Sequence, residues 1–251
     1  MLRRNTYYAS VFMVCSASCW ASSFINQENP MNLKRNLCLL LISMFCASVA
    51  VAGEAAQPDT AVGTSWTFKR VDMDTNSVQR NYALVVAGKT DSLYDIVAYD
   101  FSGGVRGKEI QRFSLTKNLG QGSPTPNGKI GDGNRFQFPL KVGSSWKTVD
   151  YWSRVWSGAA AGRNEGYDTV TYTVASQEER TVDAGKFVVF KIVGKGRWSN
   201  TTQGWQGPLD IVVYYSPAAQ AAVRTEIVTT YEGNNYPPTR NAIELVSMDI
   251  K

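Results

Sequence analysis

Three observations predict an all-β fold, an antiparallel and strongly curved sheet or barrel-like sandwich. Beyond residue 63 the chain runs in short stretches rich in Val, Tyr, Phe, Thr and Trp that alternate with period two, as half-buried strands do. Clusters of Gly, Asn, Asp and Pro break these stretches, which suits tight connections between antiparallel neighbours rather than long parallel crossovers. No stretch carries the spacing of an amphipathic helix.

The first segment stands apart from that pattern. From Met31 the chain reads MNLKRNLCLLLISMFCASVAVAG: basic Lys34 and Arg35, then an apolar run from Leu37 to Val51, with small Ala50 and Ala52 flanking Val51. This is the layout of a secretory signal peptide, with cleavage expected after Ala52. The run is shorter than the ~20 apolar residues that a transmembrane anchor needs. Cys46 follows Ser43, Met44 and Phe45, which does not suit a lipoprotein processing site. Residues 1–30 repeat the theme weakly, so the true start is expected at Met31, and residues 53–251 are expected to form a single exported domain, periplasmic or secreted.

The elements of that domain follow in order. Trp66, Phe68 and Arg70 alternate with Thr67 and Lys69; Tyr82, Leu84 and Val86 line one face of the next run, and Tyr94, Ile96 and Ala98 line another. Later candidates are Arg135–Leu140, Trp146–Trp156, Tyr167–Ser176, Phe187–Val193, Asp210–Tyr215, Ala222–Thr230 and Ala242–Asp249. With their neighbours they suggest roughly eleven or twelve strands. Asp183-Ala184-Gly185-Lys186 reads as a tight structural turn, with Asp183 opening it and Gly185 free to take positive φ. The one long loop, 118–134, separates two halves that open with matching phrases, Val62-Gly-Thr-Ser-Trp66 and Val142-Gly-Ser-Ser-Trp146. Either a duplication into two β repeats or two independent glycine turns into strands accounts for the match.

Composition removes many chemistries. The chain has no histidine, and its four cysteines (Cys15, Cys19, Cys38, Cys46) all precede residue 53. The mature domain therefore has no Cys nucleophile, no Ser-His-Asp triad, no Cys or His metal site and no disulfide. No cofactor is implied. The formal charge of +5 falls to +2 once residues 1–52 are set aside, leaving no basic stripe for nucleic acid.

The second half resembles the TapB-like family of exported bacterial β-rich domains of unknown function. The residues that carry the resemblance are Phe138-Pro-Leu-Lys-Val-Gly-Ser-Ser-Trp146, Val182-Asp-Ala-Gly-Lys-Phe187 with Lys191, Tyr214-Tyr-Ser-Pro217 leading to Val223-Arg-Thr-Glu226, and Glu244-Leu-Val-Ser247. It covers about residues 136–250. Asp183 stands where the family usually has proline, and Tyr214 where Trp is common. What the resemblance implies is an exported β-rich domain, with no catalytic residue to carry over.

The candidate site residues are aromatic. Trp152 and Trp156 share one face of a strand, and Trp198 and Trp205 bracket a polar loop, where exposure suits a contact surface. Such indoles could stack on sugar rings, line an acyl-chain cavity or fill a core. Asp150, Glu165, Asp168, Asp210, Glu226 and Glu244 could supply the two carboxylates of a glycan hydrolase if two of them faced each other. The loop around Gly122, Gly128 and Lys129 misses phosphate-loop spacing by one residue. Asp72, Asp74 and Asn76 lack the closing Glu of a Ca²⁺ loop and read as a polar hairpin turn. The expected function is non-catalytic binding of an apolar or amphipathic ligand of the bacterial envelope, such as a lipid or glycan. The alternatives are a module that binds another envelope protein and a carboxylate-based hydrolase.

Overall fold

A computed structural model describes residues 53–120, 134–156, 162–233 and 235–251, with side chains undescribed at 154–156 and 162. The expected leader lies outside the described residues, as do residues 121–133 of the long loop. Ten strands are described: β1 (Ser65–Asp72), β2 (Val78–Lys89), β3 (Leu93–Ser102), β4 (Val105–Thr116), β5 (Ser145–Trp156), β6 (Gly162–Val182), β7 (Gly185–Asn200), β8 (Trp205–Ser216), β9 (Ala221–Thr229) and β10 (Thr239–Asp249). They form one antiparallel sheet in the order β4-β3-β2-β1-β10-β9-β8-β7-β6-β5. The sheet is open, with β4 and β5 at its edges, so the all-β, antiparallel expectation holds in its curved-sheet form.

Turn chemistry fixes the hairpins. Gly103 and Gly104 both take positive φ (59° and 79°) between paired Ser102 and Val105, a two-residue turn whose twist matches the flanking strands. At the β1–β2 turn, Asp72 Oδ1 accepts the amides of Asp74 (2.9 Å) and Thr75 (3.1 Å). That carboxylate serves its own backbone, as an Asx turn does. Asp183 and Ala184 connect β6 to β7, with Gly185 at φ 126°.

The two Gly-Thr/Ser-Ser-Trp phrases adopt one geometry. Gly63 and Gly143 sit at φ 91° and 90°. Gly63 N donates to Val86 O, and Val86 N donates back to Thr64 O; Gly143 N donates to Val174 O, and Val174 N donates back to Ser144 O. Each phrase thus steers a tryptophan, Trp66 or Trp146, into a core.

Two expectations about strands fail for identifiable reasons. Arg135–Leu140 is a connector: Pro139 has no N–H for a ladder, and only Leu140 pairs, in a single bridge to Ala55. β4 was not among the candidate runs because Arg106, Lys108, Glu109, Gln111 and Arg112 erase the apolar alternation. Such charge is how an unpaired edge resists joining another strand.

Two buried clusters hold the sheet. One joins Phe136 and Leu140 of the connector to Trp146, Tyr172, Ile192, Trp198, Val213 and Tyr215. The other joins Trp66, Phe68, Tyr94 and Ile96 to Phe187, Val189, Tyr214 and Leu245. Leu119 packs against both. Residues 53–60 are strapped down by Tyr94, whose hydroxyl donates to Pro58 O (2.6 Å) and accepts from Thr60 N (3.1 Å).

Candidate functional site

Strand register places side chains that lie far apart in sequence on one face at the turn end of β5–β8. One rung reads Asp150, Asp168, Trp198, Gly207; the next reads Trp152, Gly166, Asn200, Trp205. Directly opposed residues of antiparallel strands point to the same side. Of the six carboxylates considered above, Asp150 and Asp168 are therefore the cross-strand pair.

Glycine makes this arrangement possible. A Cβ at Gly166 would lie 2.4 Å from Trp152 Cζ2, so the indole rests on the bare backbone of β6. Trp152 Nε1 donates to Asp168 Oδ1 at 3.0 Å, which fixes the ring's rotation. Cβ atoms at Gly166 and Gly196 would fall 1.9 and 2.0 Å from carbonyl oxygens of adjacent strands, and one at Gly207 1.9 Å from Thr230 O, just beyond β9. These glycines let the neighbouring backbone approach closely. Glycine inside a β-patterned run is the sequence signal for this close approach.

Asn200 shapes the β7–β8 turn that presents Trp205. Its Oδ1 accepts the amides of Thr202 and Gln203, both at 3.0 Å, and the turn docks on β6 through Thr201 N to Glu165 O (2.8 Å). Four rings then meet. Trp198 and Tyr231 lie 5.0 Å apart between centroids, Tyr231 and Tyr236 5.8 Å, and Trp205 stands 6.1 Å from each tyrosine. Trp205 and Tyr236 are 39% and 58% exposed. Trp198, expected at the surface, is buried: it points into the core face and donates its Nε1 to Thr230 O at 2.8 Å. Trp156 pairs with Gly162 at the end of β5, and its side chain lies outside the described residues. Tyr231 and Tyr236 were not picked out from sequence, although aromatics inside YEGNNYPP resemble the pattern that singled out Trp205.

Polar groups border the rings. Burial pushes the Tyr172 hydroxyl up to about 12, with Arg135 pulling it down and Asp150 and Asp168 pushing it further up. A phenol ionises near 10 in an unfolded chain. Between those values the unfolded chain releases a proton that the folded one keeps, so stability is full below pH ~10 and falls as the pH rises towards 12. Thermal melts should show this loss, and Tyr172→Phe should remove part of it. Tyr82 and Tyr215, also raised by burial, supply the remainder.

Other candidate residues serve structure. Asp183 bonds Lys69 at 2.6 Å, and Ala184 N donates to Leu245 O, seating the β6–β7 tip on β1 and β10. Lys69 also pairs with Glu244, and Arg224 pairs with both Glu244 and Glu226. A cavity of about 350 Å³ opens over this network, lined by Lys69, Val71, Met73, Asn76, Val78, Arg224 and Glu244. Asp210 faces Lys195 at 3.5 Å. Among the described residues, no group of three His, Cys, Asp or Glu could hold a metal, and no helix is long and apolar enough to cross a membrane.

No family model and no curated protein sequence matches the chain. Solved structures do. A provisionally assigned lipoprotein from Parabacteroides distasonis is 13% identical over 78% of this chain and 99% of its own, with a TM-score of 0.45. A provisionally assigned exported protein with a YmcC-like fold from Bacteroides fragilis is 12% identical over 78% and 99%, with a TM-score of 0.42. The chain is also similar to the hypothetical lipoprotein YmcC from Escherichia coli, at 14% identity over 89% and 98% and a TM-score of 0.36.

Proposed function

We propose that residues 53–251, freed of a leader ending at Ala52, act in the bacterial envelope as a non-catalytic binding module whose ligand lands on the Trp205–Tyr236 ridge. The observation that carries this reading is the ridge itself, two exposed rings braced by Tyr231 and the buried Trp198. Exposed aromatics held rigid offer contact area at little entropic cost. Nearer the connector, the same face is filled by the protein's own Phe136, Phe138 and Leu140, which leaves the turn end as the place of contact.

The test is native mass spectrometry of the processed domain purified from the periplasm, beside Trp205→Ala and Tyr236→Ala. A bound species that is retained by the wild type and lost from both folded variants is expected. Retention by both variants would place the ligand elsewhere. The opposition of Asp150 and Asp168 favours one second reading, a carboxylate hydrolase. Turnover of a glycan that stops in Asp168→Asn would establish that reading instead.

A further inference from the structure

Resting on the leader reading above, we infer that the docked strap of residues 53–60 shields the Ala52–Gly53 bond, so that the leader is removed before the strap seats and not after. Gly53 N, which cleavage would turn into the new amino terminus, donates to Gln177 Oε1 at 2.9 Å. Two residues on, Ala55 is 3% exposed and exchanges two backbone bonds with Leu140, giving its N–H at 2.9 Å and accepting at 2.8 Å. Gln57 Nε2 donates to Asn118 Oδ1 at 2.9 Å, and Asp59 meets Lys89 at 3.0 Å and Lys117 at 3.5 Å. Pro58 and Thr60 are buried under the Tyr94 hydroxyl that bonds them both.

A protease takes its substrate as an extended segment that lies on both sides of the bond to be cut. Downstream of this bond only Gly53 and Glu54 precede a buried and bridged residue, and two residues span at most about 7 Å. The enzyme would have to lift Ala55 from its bridge to be filled. Cutting the folded chain therefore runs through a local opening, and its rate follows the population of the open form. The anchors also set the order of events. Lys89 and Tyr94 belong to β2 and β3, Leu140 to the connector and Gln177 to β6, so the strap has a complete seat only once both halves of the sheet are in place. Until then the bond stands open to the enzyme. A chain cut in that interval seats a charged amino terminus, for which Gln177 Oε1 serves as acceptor just as it does for the amide. A chain that folds first keeps its leader.

The experiment takes the uncut full chain, folded in detergent micelles, and adds purified bacterial signal peptidase, with sequencing of the new amino terminus to fix the site. Beside it run the same chain unfolded in urea that the enzyme tolerates, and a variant with a flexible Gly/Ser linker of about six residues between Gly53 and Glu54. A third arm is Tyr94→Phe, which keeps the ring and removes the hydroxyl that ties down Pro58 and Thr60. Circular dichroism confirms that each folded sample is folded. Expected is a product beginning at Gly53, released on the order of 100-fold more slowly from the folded wild type than from the unfolded chain. The linker should restore the unfolded rate, because it gives slack beside the bond and leaves the anchors from Ala55 onward in place. Tyr94→Phe should fall between the two. Equal rates from folded and unfolded wild type would overturn the shielding and spare the leader. A folded linker variant as slow as the wild type would overturn it too, since the strap would not be the obstacle. An unfolded chain left uncut after Ala52 would overturn the leader reading itself, and this inference with it.

Discussion

Gly196→Ala is expected to destabilise the domain by about 3 kcal/mol, at the upper end of overpacking costs. The added methyl would sit 2.0 Å from Thr169 O and 2.8 Å from Val170 Cα, both backbone atoms of β6. A side chain can rotate away from such a clash, but a strand must slide or part from its neighbour. Gly88→Ala is the contrast: its Cβ would meet nothing nearer than the Asp95 side chain at 3.6 Å. That variant should match or exceed wild-type stability, because alanine restricts the unfolded chain. Urea unfolding midpoints decide the matter. Equal midpoints for the two variants would mean that β6 and β7 do not need a bare Gly196 to approach each other.

Tyr215→Ala should cost about 3–5 kcal/mol, the usual range for emptying a large aromatic site. Tyr215 is fully buried, with Phe136 and Phe138 rings 5.3 and 5.4 Å away. Both phenylalanines belong to the connector between the sheet's two edges, so the vacancy removes what that connector rests on. Faster proteolysis within residues 134–142 should accompany the loss in urea melts. Tyr215→Phe keeps the ring contacts and should stay within about 1 kcal/mol of wild type. Slow cleavage in Tyr215→Ala would show that the connector is held elsewhere.

Period-two alternation located β1, β2 and β3 because each buries one face, and the β domain was legible to that extent. Where burial is weak the signal fades, as at β4, whose exposed edge is written in charge. Where a connector is buried the signal misleads, as at Phe136, Phe138 and Leu140, which copy a strand's alternation without its ladder. The candidate site was half visible. Trp152 and Trp205 stood out by type and setting, but Asp150 facing Asp168 depends on register, a relation between strands that no single stretch encodes. The burial of Trp198 turned on the same relation, since its partner, Thr230 O, comes from beyond β9.

The pairing of β1 with β10 puts a seam where the first and last of the described strands meet. Without Thr239–Asp249, β1–β4 and β5–β9 are two meanders that share side-chain contacts but no strand ladder. A chain delivered amino end first must therefore keep β1's open side from foreign strands for almost the whole of its synthesis or passage. Beyond β10 the chain ties back across that seam, with Lys251 N donating to Thr64 Oγ1 at 3.2 Å. A stop codon just before Thr239 would not trim the sheet at its rim; it would split it at the centre into two pieces with four raw edges.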